Sequence, residues 1–205
     1  MPTTADLLVD AAEQQIESAG LDGLTLRSIA RRCGVSHAAP ARHFNGVSGL
    51  LAALAARTFR NLTHTLDAHV EAAGDDPRQR LAAAGRGYVE FALANPGTYE
   101  LIFRHERLDT ADHNYQQASL QSFTRLSDLV AAAQASGWRT DVDHRVLTGL
   151  VWAEVHGFVS LWIQGALPAA IGTDDHAEIV EAIVRDVLGL PATNPGPAKA
   201  TRSVK

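Results

Sequence analysis

Residues 25–44 read TLRSIARRCGVSHAAPARHF. Their types suit phosphate and base edges rather than bond-breaking chemistry. Arg27, Arg31, Arg32 and Arg42 supply guanidinium forks that match phosphate oxygens or the guanine edge. Thr25, Ser36, His37 and His43 add short hydrogen-bonding groups. Ala38 and Ala39 let a backbone come close to bases, and an alanine methyl can meet the methyl of thymine. A second set lies further along the chain: Tyr88, Phe91, Tyr99, Phe103, Trp152 and His156, with Trp162 nearby in sequence. Such residues could line a ligand cavity between helices, and they serve equally well as core filler. His156, one helical turn from Trp152, could bind a ligand or read its protonation; a histidine on an apolar stripe is also often just hydrogen-bonded in the core.

Charge divides along the chain. The net charge is −5, which alone disfavours nucleic acid. Yet Thr25 to Leu66 holds six arginines and no acidic residue, while the part from Asp67 onward carries 12 basic and 18 acidic side chains. A local basic field on an acidic protein is a usable footprint for phosphates, and a merely solvated arginine face would look the same. Metal ligation finds no pattern. His64, His69, His105 and Glu106 lack ligand spacing. No glycine-rich phosphate loop, GxSxG elbow or HExxH helix occurs, so no cofactor and no catalysis are expected. The single cysteine, Cys33, cannot form an intrachain disulfide, which fits a reducing compartment. No signal pattern opens the chain, and no run approaches the roughly 18 uninterrupted apolar residues of a spanning helix. A cytoplasmic protein is expected.

The elements that must position these residues are helices. Alanine and leucine dominate a composition that is 46% hydrophobic, and the apolar positions recur at helical spacing. The reading is all-α with about nine helices. The first covers about 5–19, capped by Thr4. The second covers about 26–33, capped by Thr25, and the third 37–43, capped by Ser36 with Pro40 as its fourth residue. The fourth spans about 47–72. Asp76 and Pro77 start the fifth, which runs to about Asn95. A short sixth follows, then helices over about 113–136, 143–166 and 175–189, with ALPAAIG breaking the chain between the last two. Residues 191–205, rich in Pro and Gly, read as a disordered tail. This organisation suggests a DNA-binding domain over 1–50, the fourth helix as connector, and a ligand-binding and dimerisation domain over 73–190.

Residues 25–44 have the layout of a helix-turn-helix. Ala30 is small where two helices cross, Gly34 makes the turn, and Val35 plugs the core behind it. In this motif the second helix enters the major groove. The stretch LLVDAAEQQIESAGLDGLTLRSIARRCGVSHAAPARHFNGVSGLLAAL resembles the N-terminal domain of the TetR family of transcriptional regulators. The likeness rests on Arg27, Ile29, Ala30, Gly34, Val35, Ser36, His43 and Phe44. It implies a dimer on palindromic operator DNA, usually a repressor. Two positions depart from the family pattern. Ala41 stands where a tyrosine is usual, and Val47 where a lysine is common. Both usual residues hold phosphates, so Thr25, Arg27, Arg42 and His43 must carry more of the affinity.

NPGTYELIF and WAEVHGFVSLW resemble a TetR C-terminal subtype marked by Trp, then His-Gly four residues on. The resemblance implies a helical domain for dimerisation and for an unnamed, small and largely apolar ligand. The 143–166 helix carries two apolar stripes: Gly149, Trp152, His156, Val159 and Ile163, and Leu147, Leu150, Val151, Phe158 and Leu161. A helix apolar on two faces is buried on two sides. With the 175–189 helix it can form a two-fold four-helix interface. A cavity-bearing helical enzyme and a module that binds no DNA are the rival readings. A band-shift on the protein's own upstream DNA separates the three.

Overall fold

The computed structural model describes residues 1–188, with side chains described through Arg185. Ten α-helices follow one another: α1 (Thr4–Ala19), α2 (Leu26–Arg32), α3 (Ala39–His43), α4 (Gly46–Ala72), α5 (Pro77–Ala94), α6 (Pro96–Leu101), α7 (His113–Ala135), α8 (His144–Ile163), α9 (Ala166–Ile171) and α10 (His176–Leu188). A 3₁₀ turn at His105–Arg107 precedes α7, and no strand occurs among the described residues. The all-α expectation holds. The anticipated tail over 191–205 lies outside the described residues.

Local chemistry explains most boundaries and corrects several expectations. Thr3, not Thr4, caps α1. It accepts from the Asp6 N–H at 3.2 Å, and its own N–H donates to the Asp6 carboxylate at 2.8 Å. Only Thr3 has an acid three residues on to close this reciprocal box; Thr4 would face Leu7. Asp76, Asp112 and Asp143 cap α5, α7 and α8. ALPAAIG is helical rather than a break. Gly165 and Gly172, both left-handed, bracket α9, and Pro168 falls in its first turn, where no helical N–H is lost. That short helix raises the number from nine to ten.

Helix α4 is central. It packs on α1, α5, α6 and α7. Leu50, Leu51 and Leu54 are fully buried in the same core as Leu8, Ala12, Ile16 and Ile29. Arg57 of α4 pairs with Asp10 and, at 2.7 Å, with Glu13, fastening α1 along it. A second tie runs from α1 to α6. Asn95 gives α6 no side-chain cap. Glu17 takes that role from 80 residues away, accepting from Gly97 N at 3.0 Å, Thr98 N at 2.8 Å and Thr98 Oγ1 at 2.7 Å. A carboxylate at a helix N-terminus is favourable because it meets orphan N–H groups and the positive end of the helix dipole.

This close approach requires Gly97. A Cβ there would lie 2.9 Å from the Ile16 carbonyl oxygen and 3.0 Å from Ile16 Cγ2. Gly97→Ala should therefore lower stability by about 1–3 kcal/mol through overpacking against backbone. A urea unfolding curve with an unchanged midpoint would show that α1 and α6 are free to separate.

Candidate functional site

The helix-turn-helix is assembled from α2, its turn and α3. Thr25 caps α2, accepting from Ser28 N at 3.1 Å while Ser28 Oγ accepts from Thr25 N at 3.2 Å. Ile29 and Ala30 are fully buried. Gly34 takes φ +67°, and Val35 N–H then reaches back to the Ala30 carbonyl at 3.1 Å. That closes the end of α2 and turns the chain.

Helix α3 is shorter than expected. It starts at Ala39, not His37, and its N-cap position is Ala38, which has no capping side chain. Ser36 contributes its backbone carbonyl, accepting from Ala39 N at 2.9 Å, and not a hydroxyl cap. His37 and Ala38 therefore lie in a turn ahead of the helix. Pro40 is the second helical residue, not the fourth, so its missing N–H costs nothing there; its ring is buried. Pro40 thus sits in the first turn, where a proline is tolerated, and its buried ring anchors α3.

The outer face is basic. Arg27, Arg31, Arg32, His37, Ala38, Arg42 and His43 are exposed. Of the six arginines between Thr25 and Leu66, Arg57 alone is in an ion pair with a described carboxylate. The other guanidinium groups are open to an outside anion. Thr25 is exposed but its hydroxyl is used in the α2 cap, which limits it to a shared contact. Helix α4 opens at Gly46 without a side-chain cap, beside this face.

The second constellation is a cavity of about 210 Å³. Its walls come from Phe59, Leu62 and Leu66 of α4, Tyr88 of α5, Phe103 after α6, Phe123 and Leu126 of α7, and Trp152 and Val155 of α8, among others. Of the six expected ligand residues, Tyr88, Phe103 and Trp152 line it. Tyr99 and His156 stand behind Tyr88. Phe91 is buried elsewhere and takes no part in the wall. Sequence reasoning missed the rest of the wall, including every residue from α4 and α7 and also Leu81, His105, Val155 and Val184. Their apolar spacing is that of any core helix, and Ser119 and Ser122 carry no periodic signal of their own.

Tyr88, Tyr99 and His156 form one polar cluster. His156 Nδ1 is 2.7 Å from Tyr99 Oη and 3.1 Å from Tyr88 Oη, and the two hydroxyls are 2.9 Å apart. His156 Nε2 lies 3.4 Å from Ser160 Oγ. Phe103 stands edge-on to the imidazole, with centroids 4.5 Å apart. Burial pushes the His156 imidazole below its ordinary value, holding it neutral. Burial pushes the Tyr88 phenol up to about 12 and the Tyr99 phenol further. The cluster is therefore uncharged around neutral pH.

Helix α8 presents three arcs rather than two stripes. Leu147, Val151, Phe158 and Val159 are buried; Trp152 and His156 face the aromatic cluster; Val146, Leu150 and Leu161 are exposed at 55%, 47% and 47%. The two stripes drawn from sequence each mix these arcs, because adjacent arcs of a helix apolar nearly all round give little polar boundary to read. By length and hydropathy α8 could cross a membrane, and a third of it is buried against neighbouring helices.

A helix-turn-helix with a basic outer face, carried on a helical part with its own cavity, is the build of a DNA-binding regulator. The pattern described as bacterial regulatory proteins, tetR family, matches residues 8–54. That of the tetracyclin repressor-like C-terminal domain matches residues 81–187, just over half of the chain. The chain belongs to the tetR family of bacterial regulatory proteins. A solved structure of a protein of unknown function from Rhodococcus sp. RHA1 is 33% identical with a TM-score of 0.81, over 94% of this chain and 97% of that one. The HTH-type transcriptional regulator YobS of Bacillus subtilis, itself uncharacterised, is 34% identical over 98 residues, 47% of this chain and 50% of YobS. The HTH-type transcriptional regulator BetI of Burkholderia thailandensis is 40% identical over 76 residues, 37% of this chain and 39% of BetI. The matches thus span half or less of these two curated relatives.

A histidine held below its ordinary value of 6.5 binds fewer protons folded than unfolded. Stability contributed by neutral His156 is fully present above the unfolded value and falls as pH drops toward the folded one. His156→Gln should flatten this loss as the pH falls below about 6.5. Parallel stability curves for the two proteins across that window would show that His156 is not buried neutral.

Proposed function

We propose that the protein is a ligand-responsive repressor that binds a palindromic operator as a homodimer. The observation that carries this reading is the exposed, unpaired arginine face of the helix-turn-helix on an otherwise acidic chain. Residues 1–50 bind DNA, α4 connects, and residues 73–190 bind ligand and dimerise. Arg27, Arg42 and His43 clamp phosphates with Thr25 and Ser36. His37, Ala38 and Ala39 present themselves to base edges from the turn and the first residue of α3. The uncapped start of α4 offers further N–H groups to phosphate. The protein works in the cytoplasm, where its operator lies, and has no catalytic role.

The dimer forms through α8 and α10. Val146, Leu150, Ala153, Gly157 and Leu161 follow one another at helical spacing along the exposed arc of α8. A Cβ built on Gly149 or Gly157 meets nothing within 4 Å, so a partner helix has room to come close. The C-terminal part falls in the subtype marked by Trp152 and His156-Gly157. Its ligand is small and largely apolar and sits in the cavity.

Two tests follow. Arg42→Ala should weaken operator binding; if Arg42 holds a phosphate, the slope of log K against log salt falls by about one unit. If it reads guanine instead, discrimination at one base pair drops by about 1–3 kcal/mol. Unchanged affinity and specificity in a band-shift titration would remove Arg42 from the interface. Leu150→Glu should leave the helix content intact and yield a monomer that binds operator at least tenfold more weakly, because a buried, unpaired carboxylate costs several kcal/mol. A dimeric Leu150→Glu protein in sedimentation would move the interface elsewhere.

A further inference from the structure

We infer that the cavity selects a small neutral aromatic molecule with one hydroxyl group, a phenol or a benzylic alcohol, and that Tyr88 is the residue that recognises the hydroxyl. The inference rests on the cavity being the ligand site. Size sets the first limit. An apolar cavity of roughly 150 Å³ holds benzene. The 210 Å³ here accommodates one ring with one or two small substituents.

Charge sets the second limit. No Asp, Glu, Lys or Arg is among the described residues that line the cavity. Glu181, one turn from the lining residue Val184, is engaged by Arg86 through two hydrogen bonds, at 2.5 and 3.0 Å. The remaining polar residues of the wall are His105, which is exposed, and Ser119 and Ser122, none of which carries a fixed charge. A carboxylate or ammonium entering this space would shed water and meet no permanent counter-charge. An aromatic cage could still favour a cation. Here the rings share the wall with the aliphatic side chains of Leu62, Leu66, Leu81 and Val184, which give a cation nothing in return. Those walls and the rings of Phe59, Phe103, Phe123 and Trp152 suit a neutral ring that can stack or meet edges. Phe123 and Trp152 are 45% and 39% exposed, and they mark the side on which the cavity reaches solvent.

The polar cluster sets the third. A neutral imidazole carries its proton on one nitrogen only. With Nδ1 bare, Tyr99 donates to His156, Tyr88 donates to Tyr99, and the Tyr88 oxygen, which the Trp152 indole also meets, keeps a second lone pair to accept. With Nδ1 protonated, the chain reverses and Tyr88 is left to donate. A ligand hydroxyl both donates and accepts, so it completes the chain in either direction. A carboxylate or an ammonium serves only one.

The test uses the full-length protein and four matched probes at pH 7.5: p-cresol, toluene, p-toluate and 4-methylbenzylammonium, titrated by calorimetry. The expected order places p-cresol about tenfold tighter than toluene, the size of one net hydrogen bond, with both ions weaker than toluene. Tyr88→Phe should bring p-cresol to the level of toluene while toluene stays within about twofold, which also reports that the cavity is intact. Equal or tighter binding of either ion overturns the inference, as does p-cresol affinity unmoved in Tyr88→Phe. The wild-type ranking alone decides if that variant fails to fold. Binding by none of the four, or binding that survives filling the cavity with Leu126→Trp, overturns the ligand-site reading itself.

Discussion

Helix α4 is one unbroken rod of 27 residues, and that continuity constrains everything else. At about 1.5 Å per residue it is some 40 Å long. Near its start, Leu50, Leu51 and Leu54 share a core with α1, and α2 and α3 pack on α1 in turn. Two to three turns on, Phe59, Leu62 and Leu66 become a wall of the cavity. Past its first turn α4 holds no proline or glycine, so it has no site for a sharp kink and moves largely as a body. A displacement of the cavity wall is passed along this rod to α1, on which α3 packs. Arg57 makes this stricter, because its two carboxylate partners bind α1 to the same rod.

Helix α6 offers a second route between the same two regions. Its start is held by Glu17 of α1, and Tyr99, two residues past Gly97, reaches the His156 of the aromatic cluster. Six residues are too few to hold a helix by propensity alone. The helix depends on partners at both ends, one near the DNA-binding elements and one beside the cavity. In thermodynamic terms a molecule in the cavity changes DNA affinity only as far as it binds one arrangement of α4 and α6 better than the other. Geometry supplies the two connections, and the differential affinity supplies the size of the effect.

The fold was legible where local rules decide. Aspartate caps, Pro77 at a first helical position, Gly34 at a left-handed turn and the spacing of Leu8, Ala12 and Ile16 each have a cause within a few residues. Readings failed where two local choices competed or where the cause lay far away. Thr3 and Thr4 both look like caps, and only the partner Asp6 separates them. The Ser36 cap lost to a turn that moved the start of α3. The glutamate that caps α6 sits 80 residues before it, and nothing in its own surroundings marks it. The basic surface was legible because charge needs no fold to be counted. The cavity was legible in Tyr88, Phe103 and Trp152; its α4 and α7 walls, the rings of Phe59 and Phe123 included, look like ordinary core positions until the helices are brought together, and Phe91, equally aromatic, faces the wrong way.

Helix α8 shows why composition alone does not settle an environment. Apolar residues surround it, and its length would span a bilayer. Yet each arc meets a different surface. The Leu147–Val151–Phe158 arc is taken up by the core. The next holds His156, whose ring nitrogens find Tyr99, Tyr88 and Ser160; in a lipid environment an imidazole would need the same partners, and here α5 and α6 already provide two of them. The third arc keeps Leu150 and Leu161 in the open, side by side with Gly149, Ala153 and Gly157. Small residues between large apolar ones make a surface that a second helix can approach closely, and exposed leucines gain only if one does. The same apolarity that suggests lipid is thus divided between a core, a cavity wall and an exposed face.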